Sequence, residues 1–336
     1  MNKNNLIFGT GFNDNPKKFL KKKFINSINY CADNGINLFD TGDNYFNGDI
    51  QKIIGNEISK KKMNIINKFQ IFNNKKILQK NLDHSLLRLK RDSIEYYMPH
   101  WPIYNMDLNL IIDFIYENIE KKKIINFGLS NFNLEMIKKI RKIFNKNITI
   151  QNEINLCNYN FNKKLIKYCT NNKIKIIAYK ISENFPKNFI KSNNLKNLNN
   201  YEISLVWLKK LGICPIIKSL NVKNINKNLK IYKKKFLNVK FELKNNFQNI
   251  PIKKIRKINS GSNTVYKSIK DAITNKNNLY PSPIDISKEI KRYGLLKPFF
   301  VKRFDSEYEL VSGQARFWAY LMLNKKKKFL KSIVIE

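Results

Sequence analysis

The sequence predicts an α/β chain: a (β/α)8 TIM barrel followed by a small α+β domain. Three observations carry this expectation. Short β-branched or aromatic runs alternate with longer amphipathic stretches through most of the chain. Aliphatic strands that alternate with helices imply a parallel sheet, and eight such units imply a closed barrel. After about residue 235 the rhythm breaks into short strands interspersed with helices, as in a small appended domain. The 336 residues leave room for both, with boundaries expected at 1–240 and 250–336.

In order, the candidate strands are LIFGT (6–10), INLFD (36–40), NIINK (64–68), SIEYYM (93–98), IINFGL (124–129), ITIQN (148–152), IKIIAY (174–179) and ICPII (213–217). Helical patterns fill 17–33, 47–60, 76–91, 107–122, 133–144, 161–172 and 199–211, with one more after 221. Asp107 is placed to cap the fourth helix, whose Leu110, Ile111, Phe114, Ile115 and Ile119 recur at helical spacing. Asn133 is placed to cap the fifth, with Met136, Ile137, Ile140 and Ile143 on one face. FELKNNFQN (241–249) reads as a linker. Beyond it come IPIKKIRKI, a GSN turn, a helix-like stretch from Val265 to Thr274, SPIDIS as a strand, and a helix near 287–293. PFFVKRF, YELVSG, a helix from Gln314 to Leu323 and a final SIVIE strand complete the small domain.

Composition narrows the function classes. A hydrophobic fraction of 43% with 12% aromatics supports a sizeable core and excludes a disordered chain. No apolar run is long enough to span a bilayer, and MNKNNLIFGTGF lacks the regions of a signal peptide, so no membrane partner and a cytoplasmic location are expected. Cys31, Cys157, Cys169 and Cys214 have no CxxC or CxxH spacing and read as reduced, buried thiols, with no metal site. The formal charge of +39 resembles a nucleic-acid signature, but the lysines are spread along the chain with no arginine-rich arm. Lysine, asparagine and isoleucine are high everywhere, as an AT-rich genome would produce, so a nucleic-acid partner is the minority reading.

Four residues carry chemistry. Asp40 and Lys68 end their strands, Tyr45 follows in the loop behind Asp40, and His100 follows SIEYYMP. Residues at successive strand ends of a parallel barrel line its C-terminal mouth. There Tyr45 can donate a proton, Lys68 can favour its phenolate form, Asp40 can hold Lys68 charged, and His100 can polarise a substrate oxygen. Taken singly, each has a plainer role: a surface phenol, a solvated lysine, a helix-capping aspartate. Their joint placement favours proton transfer to a carbonyl.

GINLFDTGDNYFNGDIQKIIG (35–55) resembles the aldo-keto reductase signature, with an Asp-Thr pair, a tyrosine five residues after the aspartate, and a later Gln51 and Gly55. NIINKFQ resembles that family's lysine strand, SLLRLKRDSIEYYMPHWP (85–102) its histidine strand, and INFGLSNFN (125–133) its Gly-x-Ser-Asn-Phe segment. QNEINLCNYN, IIAYK and PIIKSLNVKNINKNL (215–229) resemble the strand ends that follow. The resemblance covers roughly 5–235 and implies an NADP-dependent oxidoreductase acting on a small-molecule carbonyl, without metal. It further implies that Ser130, Asn131 and Gln151 hold the nicotinamide carboxamide and that Tyr179 stacks on the ring. Lys218 and Ser219 would meet the adenosine 2′-phosphate, favouring NADPH, with Asn228 completing the cofactor set.

Two departures stand out: Asn224 where the family often has arginine, and Lys180 with a short segment after Tyr179, so the belt over the pyrophosphate is expected to be reduced. An open site of this kind suggests a polar or bulky carbonyl substrate, such as a sugar-derived or nucleotide-linked one.

In the last part, VSGQARFWAYL (311–321) resembles the Gly-x-x-Arg-x-x-Ala box of the ParB N-terminal/sulfiredoxin-like fold. That likeness implies a phosphate or nucleotide site at Gly313, Gln314 and Arg316; the simpler reading is that Arg316 pins the helix. Gln314 replaces the acid of nucleotide-hydrolysing members, and the sulfiredoxin cysteine is missing. Two rival functions follow: an NADP(H)-binding redox sensor, or a nucleotide- or nucleic-acid-binding regulator acting through the small domain.

Overall fold

The computed structural model describes residues 6–12, 20–58, 63–185, 195–234, 236, 241, 247–258, 266–277, 281–323 and 328–335. The described residues form two compact units. The first draws on Met1–Asn155, Lys164–Ser182 and Lys191–Lys240, the second on Leu156–Lys163, Glu183–Ile190 and Phe241–Glu336.

The first unit is a closed parallel barrel of β1 (Ile7–Gly9), β2 (Leu38–Gly42), β3 (Asn64–Phe69), β4 (Ile94–Pro99), β5 (Ile124–Ser130), β6 (Ile148–Glu153), β7 (Lys175–Tyr179) and β8 (Cys214–Ile217), with β8 pairing back to β1. The helices between them are α1 (Lys21–Asp33), α2 (Asp49–Ile58), α3 (Lys75–Leu89), α4 (Leu108–Glu120), α5 (Leu134–Ile143), α6 (Tyr159–Asn171), α7 (Asn200–Lys210) and α8 (Val222–Lys233). Short polar side chains set where they begin. Asp107 accepts from the Leu110 amide at 3.1 Å and Asn133 from Met136 at 2.9 Å, as the spacing predicts. Asn199 and Glu202 close a reciprocal capping box on α7.

Period-two alternation builds the barrel interior. Ile7, Leu38, Ile66, Tyr96, Met98, Ile177, Cys214 and Ile216 form one buried cluster. The residues two positions further along each strand therefore point to the same inner face, one layer nearer the C-terminal mouth. Between β3, β4 and α4, Phe69 stacks on Tyr97 with ring centroids 4.4 Å apart, and Phe114 of α4 meets both.

The second unit contains a five-stranded sheet in the order β10 (Ile255–Ile258), β12 (Glu307–Ser312), β11 (Phe299–Phe304), β13 (Phe329–Ile335) and β9 (Phe247–Pro251). Its helices are α9 (Ile269–Ile273), α10 (Pro283–Tyr293) and α11 (Gln314–Leu323). Ile250, Tyr266, Phe299, Val301, Leu310, Phe317 and Leu330 are among its core residues. Cys157 joins Phe300 and Ile333 in a smaller cluster of the same unit.

Several boundaries depart from the sequence reading. SPIDIS is not a strand but the first turns of α10: Ser282 caps it, Pro283 occupies the first turn, and Asp285 returns a bond to the Ser282 amide at 3.2 Å. The apparent linker 241–249 ends in a strand, since Phe247 begins β9. α9 is shorter than the Val265–Thr274 pattern because Ser268 caps it. Val265 and the GSN turn lie outside the described residues, as does the 186–194 part of the segment expected to form a shortened belt. No described helix is long and apolar enough to cross a membrane.

Candidate active site

Asp40, Lys68 and His100 lie two positions beyond the inner-face residues Leu38, Ile66 and Met98, so alternation delivers all three to the mouth. The β2–β3 register sets Gly42 opposite Lys68, two steps beyond the Asp40–Ile66 pair. Lys68 Nζ donates to Asp40 Oδ1 at 2.6 Å, with both side chains almost wholly buried. The backbone is tied down too: Thr10 donates through Oγ1 (2.8 Å) and N (2.9 Å) to the Asp40 carbonyl, and the Asp43 amide donates to that of Lys68 at 2.9 Å.

Tyr45 hangs over this pair. Lys68 Nζ is 5.2 Å from the phenol ring centre, and the two side chains are hydrogen-bonded. Burial works to lower the Lys68 pKa, but the Asp40 carboxylate and the Tyr45 phenol outweigh it, so the ammonium sits above its ordinary value. His100 meets Tyr45 edge-to-face, with ring centroids 5.8 Å apart. The four residues expected to act together do converge.

Gly11 makes room for the phenol: a Cβ there would meet the Tyr45 ring at 2.8 Å and its hydroxyl at 3.0 Å. Gly11 and Thr10 were not singled out by the sequence reading, although the run GTGF (9–12), with its spaced glycines after a strand, was a signal of close approach.

Asp43, three residues beyond Asp40, is a further feature the sequence reading passed over. Burial pushes its carboxyl up to about 6, against hydrogen bonds from the Gln70 and Asn44 amides and the charges of Arg88 and Lys68. One of its oxygens is buried without a hydrogen bond.

The residues expected around a nicotinamide fall on β5, β6 and β7. Ser130, Asn131 and Gln151 are all buried. Asn131 takes a left-handed conformation (φ 67°) and is committed within the protein. Its Nδ2 donates to the His100 carbonyl at 2.9 Å and to Ser130 Oγ at 3.1 Å, while its Oδ1 accepts from the Tyr179 hydroxyl. Gln151 Oε1 is buried and has no hydrogen-bond partner. Leaving such an oxygen unpaired costs about 1–3 kcal/mol, so it is the acceptor in this group that would gain most from a ligand N–H. A carboxamide NH2 fits it.

Further round, Lys218 follows β8 and is exposed; its Nζ donates to the Gly11 carbonyl at 2.9 Å and lies 5.3 Å over the Phe12 ring. Ser219 Oγ is hydrogen-bonded to the Asn221 backbone, and Asn221 caps α8. Asn228 lies buried on α8.

The last predicted group sits in the second unit. Gly313 (φ 103°) forms the junction between β12 and α11, and Gln314 opens α11. Arg316 Nη1 donates to the carbonyls of Lys297 (2.7 Å) and Pro298 (3.3 Å), and its guanidinium lies 5.8 Å from the Phe299 ring centre. Arg316 thus pins α11 to the start of β11.

Fold and site together define a parallel (β/α)8 barrel with a cluster of Asp40, Lys68, Tyr45 and His100 at the C-terminal ends of its strands. The chain belongs to the aldo/keto reductase family, whose sequence model matches residues 5–184. It is 28% identical over 172 residues to aldo-keto reductase YhdN of Bacillus subtilis, a match covering 47% of this chain and 52% of that protein. The chain thus matches about half the length of that relative. Aldo-keto reductase family 1 member C18 of Rattus norvegicus is 26% identical over 258 residues, 63% of this chain and 79% of that one.

Among solved structures, the thermostable aldo-keto reductase Tm1743 superposes with a TM-score of 0.62 at 21% identity, over 71% of this chain and 92% of its own. A Bombyx mori aldo-keto reductase in complex with NADP gives 0.59 at 19%, over 69% and 84%. At those identities the likeness is one of fold.

Proposed function

We propose that this chain is an NADPH-dependent reductase that converts an aldehyde or ketone to an alcohol, with Tyr45 as proton donor. The observation that carries it is the buried Asp40–Lys68 pair, 2.6 Å apart, with the Tyr45 ring over its ammonium. Bound at this mouth, the cofactor would supply hydride to the carbonyl carbon. Everything else is done by the chain's own residues.

The carbonyl oxygen is received between the Tyr45 hydroxyl and the His100 ring. His100 polarises it by hydrogen bonding, and Tyr45 hands over its proton as negative charge develops there. Lys68 stabilises the phenolate left behind, and Asp40 keeps Lys68 charged and in place. Ser130, Asn131 and Gln151 would hold the carboxamide, Asn131 would also fix the His100 loop, and Tyr179 would cover one face of the ring.

Lys218, at the foot of the capped α8, would meet the 2′-phosphate; an ammonium beside a helix N-terminus suits that group. The Bombyx mori relative was solved with NADP, which supports the same choice. Lys180 and the short segment after Tyr179 in the sequence suggest an open mouth, and on that ground a polar, sugar-derived carbonyl is the substrate class we favour. In the second unit, the carbonyls bound by Arg316 favour a structural pin over a nucleotide site and a ParB-like role.

The test is NADPH oxidation with a panel of aldehydes and ketones, wild type against Tyr45→Phe. The variant should bind NADPH normally and lose about 10²–10⁴-fold in kcat. Equal rates would sink the assignment.

A further inference from the structure

Arg88 stands outside the catalytic quartet, half-buried on α3. Its guanidinium lies against Gly48: a Cβ there would meet Nη1 at 2.3 Å, Cζ at 2.5 Å and Nε at 2.8 Å. Gly48 (φ 89°) ends the turn that begins at Tyr45, and the two residues between, Phe46 (φ 48°) and Asn47 (φ 53°), are also left-handed. Asn47 ahead of Gly48 takes such backbone readily, but a bulky residue such as Phe46 persists there only when its surroundings over-determine it. The turn that aims Tyr45 therefore depends on what lies behind it.

Arg88 reaches two further parts of the site. Its Nη1 makes a long hydrogen bond to Gln51 Oε1 at 3.5 Å, and Gln51 Nε2 donates to Asn67 Oδ1 (2.9 Å) and Ser85 Oγ (3.1 Å). Asn67 immediately precedes Lys68 on β3. The guanidinium charge also acts on Asp43, on the near side of the turn. Arg88 lines a polar cavity of about 240 Å³ with Asp43, Asn44, Asn47, Gln70 and His84.

We infer that Arg88 is a positioning residue for the reductase: its guanidinium clamps the left-handed turn behind Tyr45 and, through Gln51 and Asn67, couples that turn to the strand carrying Lys68. The inference rests on the reading of Tyr45 as proton donor. A planar, multidentate cation is required because one group must lie flat on Gly48 and still reach Gln51; an ammonium on a flexible stem cannot do both. Any loosening here would reach the reaction as a change in the Tyr45–Lys68 geometry, where a displacement of roughly 1 Å can cost about 10²-fold.

The test combines turnover with amide hydrogen exchange. In Arg88→Ala, exchange over residues 43–51 should accelerate while that over β5 does not. kcat should fall about 10²-fold with KM for NADPH unchanged. Free guanidinium ion, entering the cavity, should restore both slow exchange and turnover. Arg88→Lys should stay slow without responding to it.

Full turnover with unchanged exchange in Arg88→Ala overturns the inference. So does a loss that comes with faster exchange everywhere and no rescue. Should Arg88→Ala not fold, Arg88→Met keeps the apolar stem and is put through the same comparison. A wild type no faster than Tyr45→Phe overturns the catalytic reading instead, and exchange over 43–51 then shows separately whether Arg88 holds the turn.

Discussion

Lys68 and Asp40 meet at 2.6 Å in a site where neither side chain keeps more than 7% of its surface exposed. A charge so buried is tolerated only with its partner present. Asp40→Asn should therefore cost about 3–5 kcal/mol of stability and most of the turnover. Asp40→Asn with Lys68→Met, which removes both charges, should recover much of the stability and none of the activity. Urea unfolding of the two single variants and the double completes the cycle. Because the Lys68 pKa is raised in the folded protein, its contribution is complete below the ordinary lysine pKa and is lost as pH rises through the folded value. Wild type should accordingly lose stability at alkaline pH, and the double variant should lose less.

Gly11 offers a way to move Tyr45 without touching it. An alanine Cβ would meet the phenol ring at 2.8 Å, and a side chain, unlike backbone, can swing aside. Gly11→Ala should lower kcat by about 10-fold or more and leave the melting temperature nearly unchanged. A fall in both would mean that the glycine serves the fold rather than the phenol.

The Asp43 carboxyl, pushed up to about 6 by burial, gives an acid-side signature. The folded state holds this proton more tightly than the unfolded chain, whose aspartate titrates near ~3.9. Stability from this group therefore falls as pH rises from about 4 to about 6. Asp43→Asn, which keeps an acceptor for the Gln70 amide, should stabilise the protein by about 1–2 kcal/mol at neutral pH and by nothing below about pH 4. Thermal melts across that range read the difference directly.

In the second unit, Arg316→Met removes the donors to the Lys297 and Pro298 carbonyls. It should destabilise that unit by about 1–3 kcal/mol and leave NADPH oxidation intact. Titration with inorganic phosphate provides the contrast. A wild-type affinity that the variant loses would restore the anion-site reading drawn from the VSGQARFWAYL motif.

The barrel could be read from the chain because each strand carries its own signal: an aliphatic run, two-residue alternation, and a polar residue where the strand leaves the core. Asp40, Lys68 and His100 were visible as those terminal polar residues. What escaped was set by tertiary contacts or by ambiguous local patterns. PIDIS alternates like a strand, yet Ser282, Pro283 and Asp285 supply a complete helix start, and capping prevails over the short alternation. The Asn47-Gly48 pair does mark left-handed backbone, but Phe46 carries no such mark, and the approach of Arg88 to Gly48 is visible only in the folded protein. For Asn131, expected at the carboxamide, only the folded protein shows the bonds to His100, Ser130 and Tyr179 that fix its side chain, and the unpaired oxygen nearby on Gln151.

The four cysteines, all free and all buried, amount to a set of built-in clocks. Burial pushes the thiols of Cys31 and Cys169 up to about 12, so neither offers thiolate to a reagent while the barrel is closed. Cys31, Cys169 and Cys214 belong to the barrel, whereas Cys157 is enclosed with Phe300 and Ile333 in the other unit. The order in which a thiol reagent labels them is thus a record of which unit opens first, written by the chain without any introduced probe.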